Sequence, residues 1–379
     1  MKSRSSNRNI FYILGEEYLP ERAPVSRAMT MTRYLRDDDF DARLLLLEGP
    51  SSPEDDYIHC IKRRFSNFKM QLLYSRLAML LHVLPDVFRL RSKLTLILRD
   101  PFISVLLIPF VFIFRVNAMH DFHGFVYPGL EKVSRFGYWV HYFFERLTIQ
   151  YYKKAIAINQ AHVDQLPASP DVHIVTNGVD LDRFEGDLDN PYLEYNIPDD
   201  HCIAVFIGFM CFFLDLPTVI EAAKLSNKTT YVVVGNGSEY EMALLRDDLP
   251  DNLILAGLQP REKVANFIVH ADIGIIAYTL KNSPNLDTDR TSARKLTEYM
   301  AGGLPMVICD LVPETDFLKV DKSCVFFETD SPESLYQTVE SLFSDKEKML
   351  AMQEKNCQTA QDFSWEKVFK ESKLKEICS

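Results

Sequence analysis

Short unbroken apolar runs recur along the chain. NIFYIL (9–14), DARLLLLEG (41–49), LTLILRDP (94–101) and FRVNAMHD (114–121) lie in the first half, and HCIAVFIGF (201–209), TYVVVGNGSE (230–239), LPMVIC (304–309) and CVFFE (324–328) in the second. Their length suits strands covered on both faces. Between them, apolar positions fall three and four apart. Ser26–Arg36 reads as a helix after the polar loop EEYLPERAPVS; Glu16, Glu17 and Arg22 in the loop and Arg27 just after it read as solvated rather than as the walls of an acceptor pocket. Strand, helix and strand in series predict parallel sheets. FISVLLIPFVFIF (102–114), interrupted by Pro109, reads as a buried helix too short to span a bilayer, and SRFGYWVHYFFERLTIQYYKK as a long aromatic helix. KAIAIN, a helix and DVHIVTNGVDLDRF follow. The Asp-, Asn- and Pro-rich stretch Glu185–Pro198 reads as a linker. The expected domains are therefore 1–184 and 185–362, with 363–379 returning to the first.

The richest stretch is SPNLDTDRTSARKLTEYMAGGLPMVICD, 283–310. It predicts a loop, a helix capped by Thr291 or Ser292, a Gly302-Gly303 stop and a buried strand. Ala293, Leu296 and Met300 form the apolar face. Thr291, Lys295 and Glu298 lie on the other face, beside Arg294. Arg290, Arg294 and Lys295 put three cations at the positive end of the helix dipole, and a bound phosphate would relieve that conflict. Glu298 is placed one turn deeper to accept from neutral hydroxyls. Phosphate beside a diol points to the diphosphate and ribose of a nucleotide. The competing reading is a surface helix whose cations pair with Asp287, Asp289 and Glu298.

The string S-A-R-K-L-T-E-Y-M-A-G-G-L-P-M-V resembles the donor-binding helix of the family 4, or group 1, glycosyltransferases. N-G-V-D-x-x-x-F at 177–184, the 253–278 segment and FSWEKVFKE at the end resemble further family segments. The resemblance implies the α/β GT-B fold: two Rossmann-like domains facing a cleft, with the C-terminal helix crossing back to the first. It implies that Glu298 binds the nucleotide ribose and that the backbone near Leu258 meets the base; Lys295, Arg294, Ser292 and Arg290 are the further donor-binding candidates on and before this helix, Arg290 at the position that contacts the donor sugar in the family. Gly208, Gly235 and Gly237, at strand ends, would let backbone N–H groups approach the donor. His120 and Asp121 stand with His123 at the carboxyl end of a strand, where family members carry a catalytic His or His-Asp. Two departures are visible. Arg290 stands where the family has a second Glu, and the segment after Gly208 lacks the family's Arg and Lys. Asp272 reads as a loop cap. Asp287-Thr288-Asp289 reads as structural, so neither a metal nor a cofactor beyond the donor is expected.

Charge refines the picture. The chain carries a net −11, yet 61–99 holds nine basic residues against Asp86, a local +8 that leaves −19 elsewhere. That excludes a general nucleic-acid binder and suggests that 61–99 meets an anionic membrane surface. The polar MKSRSSNRNI start has no apolar signal core behind it, and seven scattered cysteines suit reduced thiols. The expected protein is a cytoplasmic glycosyltransferase, peripheral on the inner membrane face. It would move a sugar from a nucleotide diphosphate sugar to a lipid-linked glycan or polysaccharide precursor, with retention. The alternatives are an inverting GT-B transferase, such as a glucuronosyltransferase, with Asp121 as base, and a non-catalytic nucleotide-sugar-binding module.

Overall fold

The computed structural model describes residues 8–20, 22–37, 40–123, 135–167, 170–281, 294–311 and 323–378. The chain divides into two compact units, Met1–Thr176 with Val368–Ser379, and Asn177–Lys367.

The first unit is built on β1 (Asn9–Glu17), β2 (Asp41–Leu47), β3 (Ile58–Ile61), β4 (Leu94–Leu98), β5 (Asn117–Phe122), β6 (Lys154–Ala157) and β7 (Asp171–Ile174). These described strands form one parallel sheet in the order β3-β2-β1-β4-β5-β6-β7. Helices α1 (Ala23–Arg36), α2 (Phe68–Leu90), α3 (Pro101–Phe114), α4 (Arg135–Tyr151) and α5 (Gln160–Val163) connect them. The apolar runs become buried strands as expected, with every residue of β4 inside.

Three local readings are corrected. β1 runs through Gly15 to Glu17, so the polar loop begins later than expected. Arg27, read as solvated, is fully buried on α1: it donates to the carbonyls of Val175 (2.7 Å) and Thr176 (3.0 Å), groups that a strand end leaves unpaired. The helix over 102–114 is neither broken nor wholly buried. It continues through Pro109, which lies on its outer side with Phe112 and Ile113, where water can satisfy the carbonyl that the missing N–H leaves over.

The second unit repeats the design. β8 (Cys202–Phe209), β9 (Thr229–Asn236), β10 (Leu253–Gly257), β11 (Ile273–Ile276), β12 (Met306–Cys309) and β13 (Cys324–Phe327) form a parallel sheet in the order β10-β9-β8-β11-β12-β13. Its helices are α6 (Leu216–Leu225), α7 (Ser238–Leu244), α8 (Arg261–Val269), α9 (Arg294–Ala301), α10 (Pro332–Ser344) and α11 (Lys346–Ala360). Then α12 (Trp365–Glu371) carries the chain back to the first unit, where α13 (Leu374–Cys378) ends it.

The boundaries differ from those expected, at 176/177 and 367/368 rather than 184/185 and 362/363. The backbone explains the shift. Val179 N–H donates to Phe363 O (2.8 Å) and Trp365 N–H to Val179 O (3.1 Å), which ties both segments to the second unit. The expected linker is also part of that unit, because Tyr192 is buried and its hydroxyl donates to Phe267 O (2.7 Å). Asp272 caps as read, its carboxylate accepting from Ile203 N–H (2.8 Å).

One side chain fixes α9 on the sheet. The Tyr299 ring is fully buried against Gly274, where a Cβ would lie 2.6 Å from ring carbon Cδ2. Its hydroxyl accepts from Ile207 N–H (3.1 Å) and has the carbonyls of Val205 and Ile275 at 3.3 Å, so it spans β8 and β11. Removing it orphans a buried N–H, so Tyr299→Phe should destabilise the protein by about 1–3 kcal/mol. Gly274→Ala, which drives a methyl into the ring, should lose a similar ~1–3 kcal/mol. Chemical denaturation of both variants checks this, and an unchanged midpoint for Tyr299→Phe would remove the hydroxyl from the account.

Candidate active site

In the second unit the strand order reverses at β8 and β11, and ligands of open α/β sheets bind at the carboxyl ends of strands beside such a reversal. The sequence of α9 meets that edge. Leu296, Tyr299 and Met300 are buried, Arg294 and Glu298 lie together on the less buried side, and Lys295, one turn before Tyr299, runs along the buried side toward the sheet edge. Arg294 Nη2 lies 3.4 Å from Glu298 Oε1, one helical turn away. Arg290, Ser292 and the Asp287-Thr288-Asp289 segment lie outside the described residues.

Lys295 reaches the end of β8. A Cβ on Gly208 would lie 3.2 Å from its Nζ. The ammonium sits 5.3 Å from the centre of the Phe206 ring and 5.5 Å from that of Tyr278, and it has no hydrogen-bond partner among the described residues. Burial pushes its pKa down to about 8, against the opposing pull of Cys211, Cys309 and Glu298. Thus the region after Gly208, which lacks the cations that the family resemblance implied, receives one from α9.

The glycines have a reason of their own. Gly208 and Gly235 are paired in register on β8 and β9 with φ of 152° and 142°, and a Cβ on Gly235 would lie 1.8 Å from Gly208 O. Gly237 precedes α7 with φ 132°, against Met210 O. Close backbone packing at the strand ends therefore demands glycine at Gly235 and Gly237 before any ligand is considered. Leu258, just beyond β10, is exposed.

Two residues that the sequence did not single out complete the site. Arg183, in the 3-10 turn Leu181–Phe184, places Nη1 3.7 Å from Glu298 Oε1 and donates from Nη2 to Arg261 O. Arg261 opens α8, and its pKa is pushed down to about 10 by burial and then by the charges of Arg294 and Arg183. No motif marks these residues, because contacts between distant segments create their role.

In the first unit, His120 and Asp121 end β5 but are 0% and 1% exposed. His120 Nε2 lies 2.6 Å from Glu145 Oε1 of α4. Burial disfavours its charge, yet Glu145 outweighs that and raises the pKa. The Asp121 carboxylate accepts from the Tyr12 hydroxyl, lies 3.0 Å from His123 Nε2 and has Arg27 at 4.0 Å. Burial alone would raise its pKa, but His123, Arg27 and Arg99 hold it well below the usual carboxylate range. A buried carboxylate so stabilised is a poor proton acceptor, which counts against Asp121 as a general base. His123 is the member of this group with a partly exposed side chain. Burial and the charge of Arg99 push its pKa down to about 3, so it is neutral at pH 7.

Two sheets of this order and connection are those of the GT-B fold. HepE from Anabaena, solved with UDP and glucose, superposes with a TM-score of 0.72 over 97% of this chain and 99% of its own, at 12% identity. Sucrose-phosphate synthase from Thermosynechococcus elongatus gives 0.76 over 97% and 98%, again at 12% identity. Within that fold, residues 204–345 match the family described as Glycosyl transferases group 1. The resemblance seen in the donor helix is thereby borne out over the second unit. A Bacillus subtilis (strain 168) protein, TuaH, named for a glycosyltransferase role in teichuronic acid biosynthesis, is 31% identical over 165 residues. That match spans 42% of this chain and 40% of TuaH.

The Lys295 ammonium is a liability to the ligand-free fold. Its folded pKa lies below the unfolded one, so the penalty is complete below pH 8 and is relieved as pH rises toward 10.5. Lys295→Met should therefore stabilise the ligand-free protein at pH 7, by about 1–3 kcal/mol. The gain should shrink above pH 8. Melting curves at pH 7 and pH 10 check the sign and the trend.

Proposed function

We propose that this protein is a glycosyltransferase that moves a sugar from a nucleotide diphosphate sugar to a hydroxyl of a lipid-linked glycan or surface polysaccharide precursor, with retention. The observation that carries the reading is the cationic edge of the second sheet, where the Lys295 ammonium is buried without a hydrogen-bond partner among the described residues, beside Glu298 and Arg294. Glu298 takes the ribose hydroxyls. Lys295 and Arg294 stabilise the charge that develops on the departing diphosphate. UDP and glucose in the HepE structure support a nucleotide-sugar donor, and the naming of TuaH supports a polysaccharide product. The burial of Asp121 favours retention over an inverting route that would use it as base. No metal is needed in this scheme, since cationic side chains supply the charge stabilisation.

Calorimetric titration with UDP, GDP and their sugars, with and without chelator, tests the donor site. One nucleotide should bind, indifferent to chelator, and Glu298→Ala should weaken it about 10-fold or more for the lost charge-assisted hydrogen bonds. Binding by no nucleotide would end the reading. Nucleotide binding without sugar transfer to any hydroxyl acceptor would favour the binding-module alternative.

The acceptor side of the proposal rests on the first unit. The outer face of α2 exposes Met70, Leu73, Leu77, Leu81 and Phe88 at helical spacing, within the region of local charge +8. No described helix is long and apolar enough to cross a membrane. An apolar stripe flanked by cations suits a helix lying on an anionic bilayer, as a cytoplasmic enzyme working on lipid-linked acceptors requires. The protein should co-sediment with phosphatidylglycerol vesicles and not with phosphatidylcholine, and Leu73→Glu with Leu77→Glu should abolish this without shifting the melting midpoint. Equal recovery with both lipids would remove the electrostatic part of the account.

A further inference from the structure

Two guanidiniums meet one carboxylate in the second unit, and a third arginine stands near them. Arg183, Arg261 and Arg294 come from the 3-10 turn at 181–184, the start of α8 and the start of described α9. Arg294 and Arg183 lie 3.4 and 3.7 Å from the same oxygen, Glu298 Oε1. Arg183 is also anchored on the carbonyl of Arg261, which brings the two arginines together. Arg183 Nη1, Arg261 Nε and Arg294 Nε are buried and make no hydrogen bond among the described residues. The side chains of Arg183 and Arg294 are only 16% and 13% exposed, and that of Glu298 15%.

Among the described residues the charges do not balance: Glu298 and, at longer range, Asp180 oppose three arginines, with the Lys295 ammonium on the next residue beyond Arg294. Buried like charges with unused donors are costly unless an anion joins them. Guanidinium donors form a planar fork that fits phosphate oxygens in pairs. The carboxylate at the centre is the group assigned to the ribose, and a nucleotide's phosphate is attached to its ribose. The phosphates must therefore pass close to these arginines if Glu298 holds that sugar.

We propose that Arg183 and Arg261, together with Arg294, form an anion site that binds the diphosphate of the nucleotide donor, in place of the Arg and Lys that are missing after Gly208. The inference rests on the donor-site reading above and extends it to two residues from outside α9. It makes the 3-10 turn at 181–184 part of the donor site.

The test is calorimetry on the full chain with UDP, UMP, GDP, GMP and inorganic pyrophosphate. It compares the wild type with Arg183→Gln, Arg261→Gln and Arg261→Lys. Each Gln variant should weaken the preferred nucleoside diphosphate about 10–100-fold, the size of a lost charge-assisted contact. The loss should be larger for the diphosphate than for the monophosphate. Pyrophosphate binding should fall in parallel, and the dependence of affinity on salt should flatten. Arg261→Lys should recover part of the affinity, since it keeps the charge but not the fork. If Arg183→Gln fails to fold, Arg261→Gln carries the test, because it leaves the backbone carbonyl that Arg183 uses. Equal weakening of mono- and diphosphate with pyrophosphate unaffected would mean that the arginines only position Glu298, and would overturn the inference. Nucleotide binding untouched by every variant would overturn it too, while leaving the donor-site reading in place. Pyrophosphate binding by the wild type, lost in the Gln variants, with no nucleotide bound, would uphold the anion site and sink the nucleotide reading.

Discussion

The packing of Tyr299 against Gly274 is the constraint on which the second unit depends. A helix on a sheet can rotate and slide until something fixes it. Here an aromatic ring fills the space left by a missing side chain, and its hydroxyl ties β8 to β11 at the point where the strand order reverses. Because Tyr299 faces inward, Lys295 one turn before it points the same way and reaches the end of β8, while Arg294 and Glu298 lie together on the neighbouring, less buried side. The register of α9 thus sets the positions of all three, and Gly274, which takes no part in any chemistry, is as necessary to the site as any charged residue.

That placement works against the ligand-free fold. Lys295 is held among Phe206, Tyr278 and the backbone of Gly208 with no hydrogen-bond acceptor among the described residues, and Arg261 is half-buried beside two other arginines. Burial lowers the pKa of both Lys295 and Arg261, because the charged form is disfavoured where each stands. A donor with two phosphates would remove the penalty on binding, so part of the affinity would come from relief of an existing cost.

Much of this was legible in the chain. Continuous apolar runs gave the strands, because a parallel sheet covered on both faces leaves no polar alternation. Leu296 and Met300 at helical spacing, followed by Gly302 and Gly303, gave α9. What was not legible depended on contacts between distant segments. Arg183 and Arg261 lie 78 residues apart and become partners only when the 3-10 turn packs on α8. The division at 176/177 follows from Val179 bonding to Phe363 and Trp365, which composition cannot reveal. Arg27 looked like any loop arginine until its helix carried it under the sheet edge to Val175 and Thr176. His120 and Asp121 were placed at the correct strand end, but the depth of a residue below the surface is not written in a strand's sequence.

The two units use charge in opposite ways, and the contrast bears on which edge awaits a ligand. In the first, Asp121 is surrounded by Tyr12, Arg27, Arg99 and His123, and His120 has Glu145. Both carboxylates, Asp121 and Glu145, have counterparts inside the unit. Such a cluster holds β1, β5 and α1 in place and supports His123, the neutral imidazole that lies nearer the surface. Among the described residues of the second, three arginines and a lysine share Glu298 and a more distant Asp180. A compensated cluster is stable as it stands, whereas an uncompensated one is stable only with something added. The imbalance at the start of α9 is therefore a stronger pointer to a bound anion than any single residue within it.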